Sequence, residues 1–244
     1  MNYKVYGIAT FLALMCISCQ SIKINRTSMH TSVTNPIALG VIGIQKKDVL
    51  SSDYRVSAIP EYKEKIRVGV TASEFTTTTF DAYQKVSKDN AQQIKYVDSL
   101  ESKPRFVTLK LLDRVATLSE LQKEYNTTTI SYLKSQKEAT IVTSVSLALP
   151  TGMVEEIIAS EAVFLSNSGY KQYHLSLING GKVSKKISFD RTTIFGYELS
   201  FFCWSENDRK QIVLANIIDE KTSCSKNAYR DAQKALQKMN YFKL

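Results

Sequence analysis

Serine and lysine are spaced in this 244-residue chain in ways that could support nucleophilic catalysis. In the S-x-x-K spacing a lysine amine can activate a serine hydroxyl. Three pairs have that spacing: Ser131 with Lys134, Ser168 with Lys171, and Ser223 with Lys226. The companion motifs S-D-N and K-T-G are absent, and a chain rich in serine and lysine contains such pairs by chance. The sequence therefore does not favour a serine–lysine hydrolase.

The two histidines, and the two acids that end predicted strands, show no pattern that indicates an acid–base pair. His174 lies in an alternating apolar segment, on the face opposite its apolar neighbours, and we expect it at an exposed or rim position. His30 lies in a polar stretch, where we expect it to be solvated. Asp190 and Asp219 end predicted strands, where acids commonly turn the chain. Two histidines also leave little material for a zinc site. We predict no catalytic residue, no metal and no cofactor.

Basic residues are concentrated at the C-terminus. The formal net charge is +9, and the last 24 residues hold six basic side chains against one acid. Lys226, Arg230, Lys234 and Lys238 follow one another at intervals of four. On an amphipathic helix beginning near Ser225 they would form one basic stripe. Such a stripe suits anionic lipid headgroups, lipopolysaccharide or an acidic protein; a solvated helix face is the plainer alternative.

The first residues have the composition of an export signal. Lys4 precedes an uncharged, mostly apolar stretch at residues 5–17. As a helix this stretch would span about 20 Å, which is short of the ~30 Å hydrocarbon core of a bilayer. A positive start followed by a short apolar segment is typical of a signal peptide.

The end of that segment carries a more specific pattern. Ile17 and Ser18 lead directly into Cys19. The segment resembles the lipobox of bacterial lipoproteins, in which small or aliphatic residues precede the cysteine that is lipidated after cleavage. Cys16 departs from the pattern, since leucine is usual at its position. The alternative is an ordinary signal peptide that is cut near Ser18 and leaves Cys19 as a plain thiol.

The resemblance implies a cellular location and a domain layout. Residues 1–18 would be the signal peptide, and Cys19 would carry the lipid, palmitate chains included. Gln20 in place of aspartate favours the outer membrane, and the lack of an acidic run favours its periplasmic side. We expect residues 19–35 to be a lipidated N-terminus and flexible tether, and residues 36–244 to be one periplasmic domain. Nucleic acid is not an expected partner in that compartment.

Two cysteines remain in the domain after this processing. Cys16 would leave with the signal peptide and Cys19 would be acylated, so Cys203 and Cys224 would be the remaining pair. An oxidising compartment favours a disulfide between them, worth roughly 3 kcal/mol in the chain-entropy model. Two separate buried thiols are the alternative.

The pattern of apolar residues predicts an α+β fold with a mixed or antiparallel sheet. Asn179-Gly180-Gly181 separates two alternating segments, which is a strong hairpin signal. A second hairpin is predicted to join residues 194–204 to 210–218, and an amphipathic helix to end the chain. Thr117 and Glu120 have capping-box spacing, so we expect a helix to begin there. Further strands are predicted at residues 37–44, 65–71, 105–112 and 139–149.

One surface modification is also suggested by a short motif. Asp98-Ser99-Leu100 resembles the D-[ST]-aliphatic motif that directs O-glycosylation in Bacteroidetes. The resemblance implies a sugar on Ser99, although such a tripeptide is common by chance.

These features favour a non-catalytic lipoprotein that serves as an accessory or scaffold subunit of a cell-envelope complex, of the secretion or outer-membrane assembly type. Its partners would be the membrane and other envelope proteins. The alternative is a binding module for glycan, peptidoglycan or lipid that uses some of the 13 tyrosines. A concave site with exposed aromatic rings would favour the ligand module, whereas an exposed apolar patch would favour docking. A hydrolase of unrecognised type is the third hypothesis.

Overall fold

The computed structural model describes residues 21–31, 37–47, 52–87, 94–99, 103–169, 171–189 and 192–241. The signal segment and Cys19 lie outside the described residues. The described residues contain one open antiparallel sheet with twelve strands: β1 Ser21–Ile24, β2 Thr27–His30, β3 Ile42–Lys47, β4 Ser52–Ala58, β5 Ile66–Glu74, β6 Arg105–Leu111, β7 Ala139–Ala148, β8 Ala162–Gly169, β9 Gln172–Asn179, β10 Lys182–Ser188, β11 Thr193–Glu206 and β12 Ile212–Asp219.

Five α-helices accompany the sheet in the same part of the chain: α1 Thr77–Val86, α2 Arg114–Leu121, α3 Thr127–Ser135, α4 Thr151–Ala159 and α5 Ala232–Tyr241. None of these described helices has both the length and the apolar character needed to cross a bilayer. The predicted antiparallel sheet is confirmed, but the fold is richer in sheet than the predicted α+β class suggests, and the C-terminal helix is short.

The centre of the sheet is β7, which is buried along its whole length. β11 pairs with one edge of β7, while β6 and β3 share the other edge. The longest path through the sheet runs β1-β2-β11-β7-β6-β5-β8-β9-β10. β12 continues along β11 beyond β2, and β4 extends the sheet from β3. Every pairing between the described strands is antiparallel, as the hairpin-rich sequence predicted.

Alternation along β6 distinguishes the two faces of the sheet. Val107, Leu109 and Leu111 belong to the larger core, which also receives apolar side chains from α2, α3, α4 and the β3–β4 hairpin. Phe106 belongs to a smaller, largely aromatic core on the second face. There Phe75 and Phe195 pack against Tyr83 of α1 and against the β1–β2 hairpin; the ring centroids of Phe75 and Phe106 are 4.9 Å apart.

The predicted hairpins are confirmed, and the predicted helix boundaries are corrected. Gly180 and Gly181 adopt φ of +57° and +71°, which suits the tight β9–β10 turn. The C-terminal helix begins at Ala232 rather than near Ser225. Two backbone hydrogen bonds of 2.7 and 2.8 Å join Trp204 to Tyr229 and keep the chain extended before the helix.

The prediction of a flexible tether over residues 19–35 is wrong for residues 21–30. These residues form the β1–β2 hairpin, in which Ile22 pairs with Met29 and Ile24 with Thr27. Ile22, Ile24 and Met29 are buried in the aromatic core on the second face. Ile22 and Ile24 alternate with polar residues, which is the pattern of a half-buried strand. The polar composition of the whole segment favoured a tether instead.

Candidate functional site

Three adjoining cavities extend from the second face of the sheet to the edge of β5 beside α4. The first two, of about 320 and 260 Å³, share Thr27, Lys110 and Glu198. The third, of about 240 Å³, shares Gly69 and Leu112 with the second. We call these adjoining cavities together the sheet groove. It crosses β11, β7, β6 and β5, and residues of the β1–β2 hairpin form part of its wall.

One end of the sheet groove is charged, with both signs present. Lys110 Nζ lies 3.6 Å from Glu198 Oε2, and His30 Nε2 lies 3.3 Å from Glu220 Oε2. Arg26 and Lys221 also line this end and are exposed. Since cations and anions alternate here, the charged end suits a ligand that carries both signs.

His30 links three separate strands at this end. Besides its contact with Glu220, its Nδ1 lies 3.0 Å from Gln45 Nε2 on β3. Its ring centroid is 5.5 Å from that of buried Tyr197 on β11. The expectation that His30 is simply solvated is therefore wrong, because folding brings strands that are distant in sequence around it.

The other end of the sheet groove is open and exposes two large apolar side chains, with Arg67 and Glu161 also in its lining. Leu112 is 58% exposed and Ile158 is 39% exposed, and both line the same cavity. Leu112 lies over Gly69 of β5, where a Cβ would come within 3.0 Å of the leucine side chain. Glycine at this position thus allows an exposed leucine to lie flat on the sheet. Large side chains left in water beside a concavity are typical of interaction surfaces.

A second concavity, of about 430 Å³, lies apart from the sheet groove and contains tyrosine side chains. We call it the tyrosine pocket; its lining includes Glu61, Tyr125, Thr129, Tyr132 and Lys171. Its volume falls within the range of about 300–1,000 Å³ that is usual for small-molecule sites. Five tyrosines are buried in the cores: Tyr54, Tyr62, Tyr83, Tyr173 and Tyr197. Among the described residues, Tyr125 and Tyr132 are the tyrosines that line this concavity.

The loop beside the tyrosine pocket is fixed by a buried carboxylate. Glu120 is 2% exposed and accepts hydrogen bonds from the backbone N–H of Lys63 (2.7 Å) and Glu64 (3.0 Å) and from the Tyr125 hydroxyl (2.7 Å). The Asn126 side chain accepts from Glu61 N and donates to Glu61 O, both at 2.8 Å. Glu120 is therefore a structural residue. It lies within α2, which begins at Arg114, so the predicted capping box at Thr117 is wrong.

A tyrosine hydroxyl holds the same loop from below. The Tyr173 hydroxyl donates to Pro60 O at 2.6 Å. Burial raises the pKa of Tyr173 well above its usual value, so the hydroxyl stays protonated and continues to donate. The wall of the tyrosine pocket is thus formed before any ligand arrives.

His174 lies in a buried polar cluster instead of at a rim. It is 5% exposed, and its Nε2 lies 3.2 Å from Ser166 Oγ, which lies 3.2 Å from Ser176 Oγ. Its Nδ1 has no hydrogen-bond partner among the described residues. Burial, and then the charge of Lys186, lowers the pKa of His174. The prediction of an exposed histidine is wrong, because both faces of β9 are covered.

The buried cluster lacks what a catalytic triad needs. In a triad an acid orients the histidine through its second nitrogen. That nitrogen, Nδ1 of His174, is the atom without a partner in the described structure, and Ser166 is only 8% exposed. The described residues also contain no group of three or more side chains placed to hold a metal ion.

The remaining sequence predictions have mixed outcomes. The Cys203–Cys224 disulfide is confirmed, with a Cα–Cα distance of 5.8 Å. Ser99 is exposed in a turn, and the neighbouring Asp98 carboxylate binds Tyr96 and Lys103. Leu100 and Asp190 lie outside the described residues. Asp219 forms an ion pair with Arg114 and accepts from Ser200, which is a structural arrangement.

The predicted basic stripe is not continuous. Lys226 and Arg230 precede α5, whereas Lys234 and Lys238 lie within it. Arg230 stacks on the Phe201 ring at 4.0 Å and donates to the carbonyl groups of Glu220 and Thr222. The extended pairing of Tyr229 with Trp204 prevents the four residues from sharing one helix face.

Comparisons with known proteins match no family model, no curated protein and no solved structure to this chain.

Proposed function

We propose that this protein is a non-catalytic accessory subunit of a cell-envelope complex, of the secretion or outer-membrane assembly type. In this proposal the lipid on Cys19 anchors it to the outer membrane, the domain faces the periplasm, and the sheet groove docks a partner protein. The sheet groove carries the proposal, because one end exposes Leu112 and Ile158 and the other end has charges of both signs.

The dimensions of the sheet groove suit an extended polypeptide segment. Four adjacent strands spaced by about 4.8 Å extend over about 15 Å, which is the length of roughly five extended residues. An apolar side chain of such a segment would cover Leu112 and Ile158. Its polar and charged groups would meet Lys110 and Glu198 at the other end. Apolar burial would supply most of the affinity, and charge complementarity would fix the direction of the segment.

Site-specific photo-crosslinking tests where the partner binds. A photoreactive residue at position 112 or at position 158 is expected to crosslink the same envelope protein in intact cells. The control is position 183, where Val183 is exposed to a similar extent, 42%, but lies on β10 away from the sheet groove. Equal crosslinking from position 183, or a protein without any partner, would contradict the docking proposal.

Substitution of the exposed leucine tests what the contact contributes. Leu112→Asp should weaken recovery of the crosslinked partner by at least about tenfold, because burying an unpaired carboxylate against apolar surface is costly. Val183→Asp is the matched control and should leave recovery unchanged. Both variants should unfold near the wild-type denaturant concentration, since both wild-type side chains are already exposed to solvent.

The tyrosine pocket favours a second candidate function, a binding module for a sugar. Tyrosine rings pack against the C–H faces of pyranoses, and Glu61 and Thr129 could bind sugar hydroxyls. Within the described structure no hydrogen bond or ion pair occupies the Glu61 carboxylate or the Tyr132 hydroxyl, and both line the tyrosine pocket. The loop that carries Glu61 is held in place from two sides, by Asn126 and by Tyr173.

Titration with chitotriose, a soluble N-acetylglucosamine trimer, tests this second function by calorimetry. Glu61→Gln should weaken binding by about tenfold, as expected for loss of a hydrogen bond to a charged group. Tyr132→Phe should weaken it less. Tyr96→Phe, which removes a tyrosine hydroxyl outside the pocket, is the control. No heat of binding, or binding that Glu61→Gln leaves unchanged, would reject the pocket as a chitotriose site.

A further inference from the structure

The start of β1 limits how far the domain can stand from a lipid on Cys19. The hairpin begins at Ser21, so two residue steps separate the proposed lipidated cysteine from the folded sheet. Two fully extended residues span at most about 7 Å, whatever their conformation. A tether of residues 19–35 would have given a much longer reach. The folded hairpin removes that reach.

Strand register determines which surface surrounds this attachment point. Ser21 pairs with His30 across the β1–β2 hairpin, and His30 contacts Glu220 at 3.3 Å. The turn that follows β12, Glu220–Lys221, therefore lies beside the attachment point. Arg230 donates to the carbonyl groups of that same turn. Lys221 is exposed there.

We infer that the lipid anchor holds the domain against the membrane with the Ser21–His30 end of the hairpin and the Glu220–Lys221 turn facing the headgroups. The inference rests on the proposed lipidation of Cys19 and adds a fixed orientation to it. Lys221, exposed at this end, suits the phosphate groups of lipid headgroups. Asp219 and Glu220 lie beside it, so the short connection, and not a net positive charge, sets the orientation. The charged end of the sheet groove then lies next to the membrane, so a partner segment would reach Lys110 and Glu198 from the end that exposes Leu112.

The two ends of β12 provide a matched pair of positions for a test. Arg209 lies in the β11–β12 turn, exposed and basic like Lys221, but at the far end of the strand. The eight residues of β12 separate the two ends by about 23 Å. Lys221→Cys and Arg209→Cys can each carry a fluorophore, because the Cys203–Cys224 pair is already oxidised.

The test uses the full lipoprotein, purified from its envelope and reconstituted in vesicles of phosphatidylethanolamine and phosphatidylglycerol. Lipids with nitroxide on the headgroup quench fluorophores close to the membrane surface. We expect quenching at position 221 to be several-fold stronger than at position 209. Equal quenching at both positions, or stronger quenching at position 209, would overturn the orientation while leaving the anchor intact.

Lengthening the connection separates the anchor from other causes of orientation. Six glycine and serine residues inserted between Gln20 and Ser21 add up to about 20 Å of reach. The difference between positions 221 and 209 should then largely disappear. A difference that persists would mean that the short connection does not set the orientation. Protein that fails to sediment with the vesicles at all would instead overturn the anchor on Cys19, together with the orientation that rests on it.

Discussion

Strand β12 and the β1–β2 hairpin occupy the same edge of β11, and they are held there in different ways. β12 pairs with β11 from Ser200 to Glu206, and the Cys203–Cys224 disulfide fixes the chain that follows β12. β2 shares one register position with β11, Tyr197 opposite His30. Its attachment comes instead from buried side chains such as Met29. The backbone thus secures the C-terminal hairpin, whereas side-chain burial secures the hairpin that forms a groove wall.

This difference indicates which part of the molecule can adjust to a partner. Segments with few backbone hydrogen bonds to the rest of a fold open at lower free energy than the central strands do. The β1–β2 hairpin fits that description and also lies close to the proposed anchor. A wall of the sheet groove could therefore move while β7 and β11 stay fixed.

Removal of the disulfide should have the largest effect. The double variant Cys203→Ser and Cys224→Ser is expected to lose roughly 3 kcal/mol of unfolding free energy, since the bond closes a loop across 21 positions. Urea unfolding measures the loss. Hydrogen exchange should accelerate in β12 and around Tyr229 and remain unchanged in β1–β2. Equal acceleration in both hairpins would contradict their independent attachment.

Truncation of Met29 tests the side-chain attachment of the other hairpin. Met29→Ala should cost about 3 kcal/mol, because the side chain is 1% exposed and no neighbour can fill its space fully. Ser28→Ala, at an exposed position of the same strand, is the control and should change stability by less than about 0.5 kcal/mol. A loss below about 1 kcal/mol for Met29→Ala would show that the hairpin unfolds separately from the sheet.

Loss of the His30 side chain should have a smaller and more local effect. His30→Ala removes the contacts with Glu220 and Gln45, and partial exposure limits the expected cost to about 1 kcal/mol. Hydrogen exchange should accelerate at the amides of β2 and not at those of β12. Unchanged exchange in β2 would mean that apolar burial alone holds the hairpin.

Acid should weaken the fold at a site away from both hairpins. The pKa of His174 is lowered in the folded protein, so the unfolded chain binds a proton first as the pH falls. The unfolding free energy should therefore decrease from about pH 7.5 downward through the ordinary histidine pKa of about 6.5. His174→Gln should flatten this part of the pH profile. A profile that His174→Gln leaves unchanged would assign the acid sensitivity to other groups.

Local chemistry in the sequence predicted some elements correctly. Asn179-Gly180-Gly181 predicted the β9–β10 hairpin because glycine accepts the positive φ of a tight turn. The disulfide between Cys203 and Cys224 was predicted because they are the two cysteines that remain in the domain after the expected processing. In both cases the residues that form the feature are sufficient to predict it, so the arrangement of the other strands does not need to be known.

Features that depend on distant strands were not predictable. Glu120 and Thr117 have capping-box spacing, yet Glu120 is used to hold a loop 56 residues earlier in the chain. The burial of His174 depends on what covers the second side of β9. The sheet groove depends on four strands and a hairpin that come together only in the fold. No periodicity in one segment encodes such a surface.

The bridge between Trp204 and Tyr229 gives the protein an intrinsic spectroscopic reporter. Trp204 is the single tryptophan of the chain, is 1% exposed, and directly follows the disulfide-bonded Cys203. Detachment of the C-terminal segment would admit water to the indole and shift its emission to longer wavelength. Unlabelled protein can thus report, in the same cuvette as vesicles or partner, whether the segment before α5 stays docked.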